Sequence, residues 1–288
     1  MNADAPDLAR GASQTASDPN ANRRHQLKLG IYIYGLATIA AGIMDFVWGD
    51  FEAGHQPIQA LGDHIPGREI LAYVTAAWLA TGGAAILWRR TARVGAVALT
   101  VIYLVFAIFW LPRFYTAPRI LGFRAYVYIG VMGGVAQQLI LAAAAANIYA
   151  AAAHGLAWQR TTLIIRWIFG LCSVNFGLSH LTGLQPTAAF VPKWMPLGGD
   201  FWAIATGICF VLAGLAILSG LLDVPAARLL ALMLLVFSAL ALAPRVFTTP
   251  RNHVAWGSNA YNGAAVGAAW LLAGSLERRQ RNSGTARS

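Results

Sequence analysis

The sequence predicts an all-α integral membrane protein with eight transmembrane helices, arranged as two parallel-repeat four-helix bundles. Three observations carry that expectation. Hydrophobic residues fill 58% of the 288 positions and charged residues 11%, with a mean hydropathy of +0.56. A soluble domain carries about 25% charged residues. Apolar stretches of spanning length recur along the chain, about 20 residues being enough for a helix to cross the hydrocarbon layer. The second half also repeats the first. Continuous apolar runs, not short alternating ones, argue against a closed barrel, and a helix satisfies its own backbone in lipid.

Residues 1–28 are polar and contain no apolar run; they read as a disordered cytoplasmic tail ending in Arg23, Arg24, His25 and Lys28. Spans are expected near 29–48, 68–88, 94–111 and 125–149, which make a first membrane repeat over 29–150. Further spans near 161–181, 200–222, 226–243 and 254–275 make a second repeat over 160–276. Residues 277–288 form a basic cytoplasmic tail. Gly130 with Gly134, and Gly263 with Gly267, allow close helix approach. Trp48, Trp88, Trp110, Trp158, Trp194 and Trp256 fall at span ends, as an aromatic belt does.

Of the 21 Lys and Arg residues, 14 fall on the side of the termini and 7 on the other. The positive-inside rule therefore predicts both termini cytoplasmic, and the expected location is a bacterial-type inner membrane. The net charge of +10 is mostly topology, so the lipid bilayer is the expected partner and nucleic acid is not. The two cysteines, Cys172 and Cys209, form no Cys-x-x-Cys pattern. Both are expected mid-span, buried as small apolar packing residues.

The repeat is clearest at the end of the third span of each half. Leu-Pro-Arg-Phe-Tyr-Thr-Ala-Pro-Arg at 111–119 recurs as Ala-Pro-Arg-Val-Phe-Thr-Thr-Pro-Arg at 243–251. Pro112, Arg113, Thr116, Pro118 and Arg119 thus face Pro244, Arg245, Thr248, Pro250 and Arg251. Pro66 faces Pro196, Glu69 faces Asp200, Gly83 faces Gly214, and Ile86-Leu87 faces Ile217-Leu218. Gly42-Ile-Met-Asp45 sits opposite Gly177-Leu-Ser-His180. Four spans per unit keep both copies in the same orientation, so the repeat is parallel.

Each unit has a long loop containing proline after its first helix, and a proline shortly before the acid that opens the second. A Gly-x-x-Ile-Leu stretch and Pro-Arg at the end of the third helix follow. With Gly177-Leu-Ser-His180, Pro196, Asp200 and Gly214-Leu-Ala-Ile-Leu218, the pattern resembles the DoxX-like family of membrane proteins, including its DoxD-type members. The resemblance covers about 29–275 and is better in the second half. It implies four-helix units and associations with quinone-linked sulfur oxidation, oxidant resistance and the assembly of other membrane proteins. A fused pair of units departs from the solitary unit usual in that family.

The polar residues leave more than one reading open. Arg113, Arg119, Arg245 and Arg251 either line an outward-facing pocket for a small anion or a quinone carbonyl, or anchor to lipid phosphate. In either case Glu69 and Asp200 are expected within pairing distance of Arg113 and Arg245. His180, near the end of the fifth span, is a candidate proton relay or quinone contact. His55, His64 and His253 share its side, but their spacing is no metal-ligand signature. Asp45 is placed at the hydrated edge of the first span. Asn175, Asn259, Asn262, Gln137 and Gln138 are expected to hydrogen-bond across helices, with the lining of a polar cavity as the alternative.

Two function classes stay open: a redox-associated subunit binding quinone or a small anion at its outer face, and a non-catalytic protein that stabilises a membrane or periplasmic partner. A transporter ranks third, because midplane charges on broken helices are missing. No cofactor motif is visible, so quinone is the one cofactor considered, and whether the chain is an enzyme is left open.

Overall fold

The computed structural model describes residues 19–56, 66–151 and 156–285, and only helices and turns among them. In order these are α1 (Pro19–Trp48), α2 (Arg68–Leu87), α3 (Ala92–Trp110), α4 (Arg113–Leu121), α5 (Ala125–Ala151) and α6 (Leu156–Thr182). Then come α7 (Leu184–Ala188), α8 (Gly198–Ser219), α9 (Asp223–Phe237), a π-helical segment (Ser238–Leu242), α10 (Ala243–Thr248) and α11 (His253–Thr285).

Seven stretches among the described residues are long and apolar enough to cross a membrane. They are Leu27–Trp48, Arg68–Leu87, Ala92–Trp110, Ala125–Ala151, Trp158–Thr182, Gly198–Ser219 and Asp223–Thr248. The expected eighth, α11, does not reach that apolarity. The reason lies in its surroundings: Ala264, Ala265, Ala268, Ala269, Leu271, Leu272 and Leu276 are buried against other helices. A helix screened from lipid can be built of Ala, Gly and Asn, which pack closely but are weakly hydropathic. Helix α1 begins at Pro19, so part of the segment composition assigned to a tail is helical; α11 likewise continues through the start of the basic tail to Thr285.

The packing differs from two separate bundles. Helices α1, α2, α3, α5, α6, α8, α9 and α11 pack each on the next, and α11 closes back on α1. Helices α5 and α11 also touch each other across the middle. The ring is pinched there into two lobes that share those two helices. The first lobe holds α1, α2 and α3; the second holds α6, α8 and α9. Two-thirds of the α5 span (67%) is buried, against 28–39% for the other candidate spans. Its contact with α11 includes an Asn147 amide donating to the Leu271 carbonyl (3.1 Å) and the Ser275 hydroxyl donating to Asn147 Oδ1 (2.8 Å).

The close crossings use glycine. A Cβ on Gly42 would stand 2.5 Å from the Ala76 carbonyl and 2.7 Å from the Ala80 nitrogen. A Cβ on Gly177 would stand 2.5 Å from the Gly207 carbonyl and 2.9 Å from the Val211 nitrogen. Helices α1 on α2 and α6 on α8 therefore approach backbone to backbone. Helices α2 and α8 each carry an acid in the first turn, Glu69 and Asp200, where the positive end of the helix dipole favours it.

Candidate functional site

The first Pro-Arg segment follows α3 and the second opens α10 after the π segment; the first meets the loop after α1 through Arg113 and Gln56. In the first lobe the chain leaves α1 through Gly49, whose φ of 61° suits a residue without Cβ. Asp50 then pairs with Arg68 at 2.8 Å and accepts the Phe51 N–H. From that anchor the loop dips into the lobe, burying Phe51, Glu52 and His55. The Trp110 indole and the Gln138 amide both donate to the Gly54 carbonyl, at 2.8 and 3.1 Å. The loop is a plug.

Asp45 sits beneath this plug with no exposed surface. Its Oδ1 accepts the Glu52 N–H at 2.9 Å, and its Oδ2 lies 3.3 Å from His55 Nδ1. His253 Nε2, at the start of α11, stands 3.3 Å from Oδ1 without hydrogen-bond alignment. The His55 ring stacks on Phe106 with centroids 4.2 Å apart, and His253 stacks on Trp48 at 4.8 Å. Burial works against a proton on His55, yet its bond to Asp45 and the carboxylates of Asp45 and Glu52 hold its pKa above the ordinary value.

The second lobe is open where the first is plugged. A cavity of about 330 Å³ lies between α5, α6, α8, α9 and α11. Phe169, Phe176, Phe210 and Phe237 supply aromatic walls, and Ile140, Leu230, Ala265 and Ala269 the apolar floor. His180, Thr206 and Ser173 line one side; Glu52, Gln138, Tyr261 and Asn262 line another. Glu52 reaches it from the plug, so the two lobes meet at that carboxylate. Gln138 Oε1 is buried without a partner among the described residues.

His180 is held by its Nδ1, 3.0 Å from the Thr206 hydroxyl. That hydroxyl gives its own proton to the Trp202 carbonyl at 2.7 Å, so His180 donates from Nδ1 and Nε2 is left as an acceptor. The ring stands edge-on to Phe210 at 5.2 Å. Across the cavity, the π-helical segment frees backbone carbonyls that the α helix would have used, as such segments do. Asn262 donates to the Leu234 carbonyl (2.8 Å) and bonds the Ser238 hydroxyl; Asn259 donates to the Leu242 carbonyl (2.9 Å). Both asparagines bond across helices.

Of the residues singled out from the sequence, His180 lines the cavity and the arginines do not. Arg113 donates to the Gln56 carbonyl at 3.2 Å and lies over Trp110, 3.9 Å from the ring centre; burial lowers its pKa. Arg119 lies over Tyr115 and Arg245 over Phe190, at 3.5 and 4.6 Å. Arg251 edges a shallow groove beside Trp48 and His253. The expected pairs of Arg113 with Glu69 and Arg245 with Asp200 are not formed, because both acids are exposed and the guanidiniums are taken up by rings and a carbonyl. Asp45 is not hydrated but buried. Cys172 is buried as expected, whereas Cys209 is exposed on α8. His64 lies outside the described residues.

The Asp45, His55 and His253 cluster was missed as a unit. One signal was available. Asp45 is an acid within a span, and such a residue needs a named partner; two histidines were already assigned to its end of the bundle.

Several apolar spanning helices around a polar-edged cavity define a multi-pass membrane protein. Within that class, residues 161–243 match the DoxX family model, and over that stretch the chain is DoxX-like. The match runs from α6 to the start of α10, the second-lobe helices that wall the cavity. No curated protein and no solved structure matches the chain.

Proposed function

We propose that the chain is a tandem duplication with eight spans, both termini cytoplasmic in an inner membrane, whose second lobe binds a small lipophilic ring compound of the quinone class. The observation that carries this reading is the cavity, occupied by protein in one lobe and open in the other. A Cβ on Gly42 would meet a carbonyl and a nitrogen four residues apart on α2 (Ala76, Ala80), and one on Gly177 would meet the same pair of atoms four residues apart on α8 (Gly207, Val211). The pairs within α2 and α8, Glu69 with Asp200, Gly83 with Gly214 and Ile86 with Ile217, differ by 131; the pairs after the π segment, such as Pro112 with Pro244, differ by 132. One residue inserted into a helix is what a π segment represents. Helix α11 is then the eighth span, shielded from lipid by its neighbours.

The cavity suits a flat apolar ring bearing oxygens. Phe176, Phe210 and Phe237 offer faces for stacking, and His180 Nε2 can accept from a reduced quinone hydroxyl. The free anion is disfavoured, since no arginine among the described residues lines the cavity. In this role the chain is a redox-associated subunit. Purified protein should carry quinone or show saturable thermal stabilisation by a short-chain quinone. Leu234→Trp, which fills the hollow, should abolish that stabilisation. Absence of both effects in folded native protein overturns the reading. A phosphatase-active fusion after Ser288 overturns the orientation.

A further inference from the structure

We propose that Asp45, His55 and His253 form a proton-binding site that exchanges one proton with the solution through His253 and holds it beside Glu52. This goes beyond the ligand reading and does not depend on what the cavity holds. The geometry has three parts. A buried carboxylate lies between two imidazoles, with contacts of 3.3 Å to each. One imidazole, His55, is enclosed, with 5% of its side chain exposed; the other, His253, has 15% exposed at the edge of the groove by Trp48 and Arg251. The backbone of Glu52 bonds the same carboxylate, while its side chain lines the cavity.

A carboxylate without counter-charge is expensive inside a membrane protein. With both imidazoles neutral, Asp45 and Glu52 leave two negative charges around His55. One proton taken from solution at His253, whose ring must turn into line with Asp45 Oδ1, passes on to His55 as the Asp45 carboxyl turns. That leaves a single negative charge, and the proton's return restores two. No other reactant is needed. The surrounding groups do not supply that charge. From α2, Arg68 is engaged with Asp50, and Glu69 and Tyr73 lie near Gly49. From α3, Tyr103 faces His55, its hydroxyl directed to Thr38. Arg113 of α4 donates to the Gln56 carbonyl, and Tyr261 from α11 and Arg251 from the turn before it complete the surroundings. Imidazole is the side chain suited to accept and release a proton near neutrality.

The test is ¹⁵N-histidine NMR of the full chain in lipid nanodiscs from pH 5 to 9, with signals assigned by single His→Gln changes. His55 should titrate, with a midpoint above the ordinary value of about 6.5. Asp45→Asn should weaken its proton affinity at least tenfold. His253→Gln should leave His55 titratable but slow its proton exchange with solvent at least tenfold. A His55 signal that stays in one state across the range overturns the site and leaves a structural latch. An unchanged midpoint in Asp45→Asn, or unchanged exchange in His253→Gln, overturns it as well. Should Asp45→Asn fail to fold, the native titration and the His253 variant still decide.

Discussion

On the proposed duplication the two lobes are made of corresponding helices; they share α5 and α11, yet one is filled and the other hollow. In the first, Ile102, Tyr103 and Phe106 are 3%, 1% and 0% exposed beneath the plug. On the proposed pairing their counterparts are Met233, Leu234 and Phe237, and these line the cavity. The His55 ring stacks on Phe106; nothing in the chain stacks correspondingly on Phe237 among the described residues. Asp45 anchors the plug where the second lobe has His180. On the proposed duplication, the contrast makes the hollow a feature of the shared frame, which the first lobe fills from its own loop. A polar-edged hollow favours water or a ligand over remaining dry.

The sharpest way to break this comparison is to remove the paired residues. Asp45→Ala should cost roughly 3–5 kcal/mol, because it leaves a buried cluster without its counter-charge. His180→Ala loses one hydrogen bond at a cavity wall and should cost about 0.5–1.5 kcal/mol. Denaturant unfolding in detergent measures both, and equal costs would mean that the lobes do not differ as described. His55 adds a pH test. Its folded pKa is raised, so its contribution is complete below the unfolded value of about 6.5 and is lost as pH rises through the folded value. His55→Gln should flatten that decline between pH 5.5 and 8.5.

Where the lobes agree, equal effects are expected. Gly42→Ala and Gly177→Ala each drive a Cβ into backbone atoms at about the same distance, and overpacking of this kind costs about 1–3 kcal/mol. Costs that differ strongly would argue against equivalent crossings. Leu234→Phe should cost less than about 1.5 kcal/mol because its wall faces open volume. Tyr103→Phe, in the filled lobe, removes the hydroxyl facing Thr38 (3.5 Å) and should cost about 1 kcal/mol. Thermal unfolding of the four variants side by side gives the ranking.

The spans were legible because lipid imposes length and apolarity on any helix it touches. Helix α11 was placed correctly as a helix from 253, but its apolarity falls short because its neighbours replace lipid as its solvent. The sharing of α5 and α11 between lobes was not legible, since span lengths do not say which helix packs on which. At the site, the sequence singled out His180 by its place at the end of a span, and that residue lines the cavity. Asp45, His55 and His253 were present in the sequence, but their meeting depends on a loop turning inward, and no local pattern announces that. The arginines misled. Repetition beside equally repeated acids suggested ion pairs, whereas Glu69 and Asp200 occupy first turns that favour an acid without any arginine.

The smallest effect is expected at that discarded pair, and it separates a repeated residue from a functional one. Asp200 is exposed at the start of α8, and Arg245 spends its guanidinium on the face of Phe190 at 4.6 Å. Asp200→Ala should therefore change stability by no more than about 0.5 kcal/mol, the usual range for a surface change. Arg245→Ala should lose the ring contact, about 0.5–1 kcal/mol at a partly exposed position. Since the two side chains share no partner, the double variant should equal the sum of the singles within about 0.3–0.5 kcal/mol. The same cycle on Glu69 and Arg113 should also be additive, with the larger single cost at Arg113, which holds the Gln56 carbonyl at the end of the plug. A coupling above 1 kcal/mol in either cycle would restore an ion-paired layer at the Pro-Arg end. It would also return the arginines to the candidate site, because a guanidinium steadied by a carboxylate keeps donors free for a ligand.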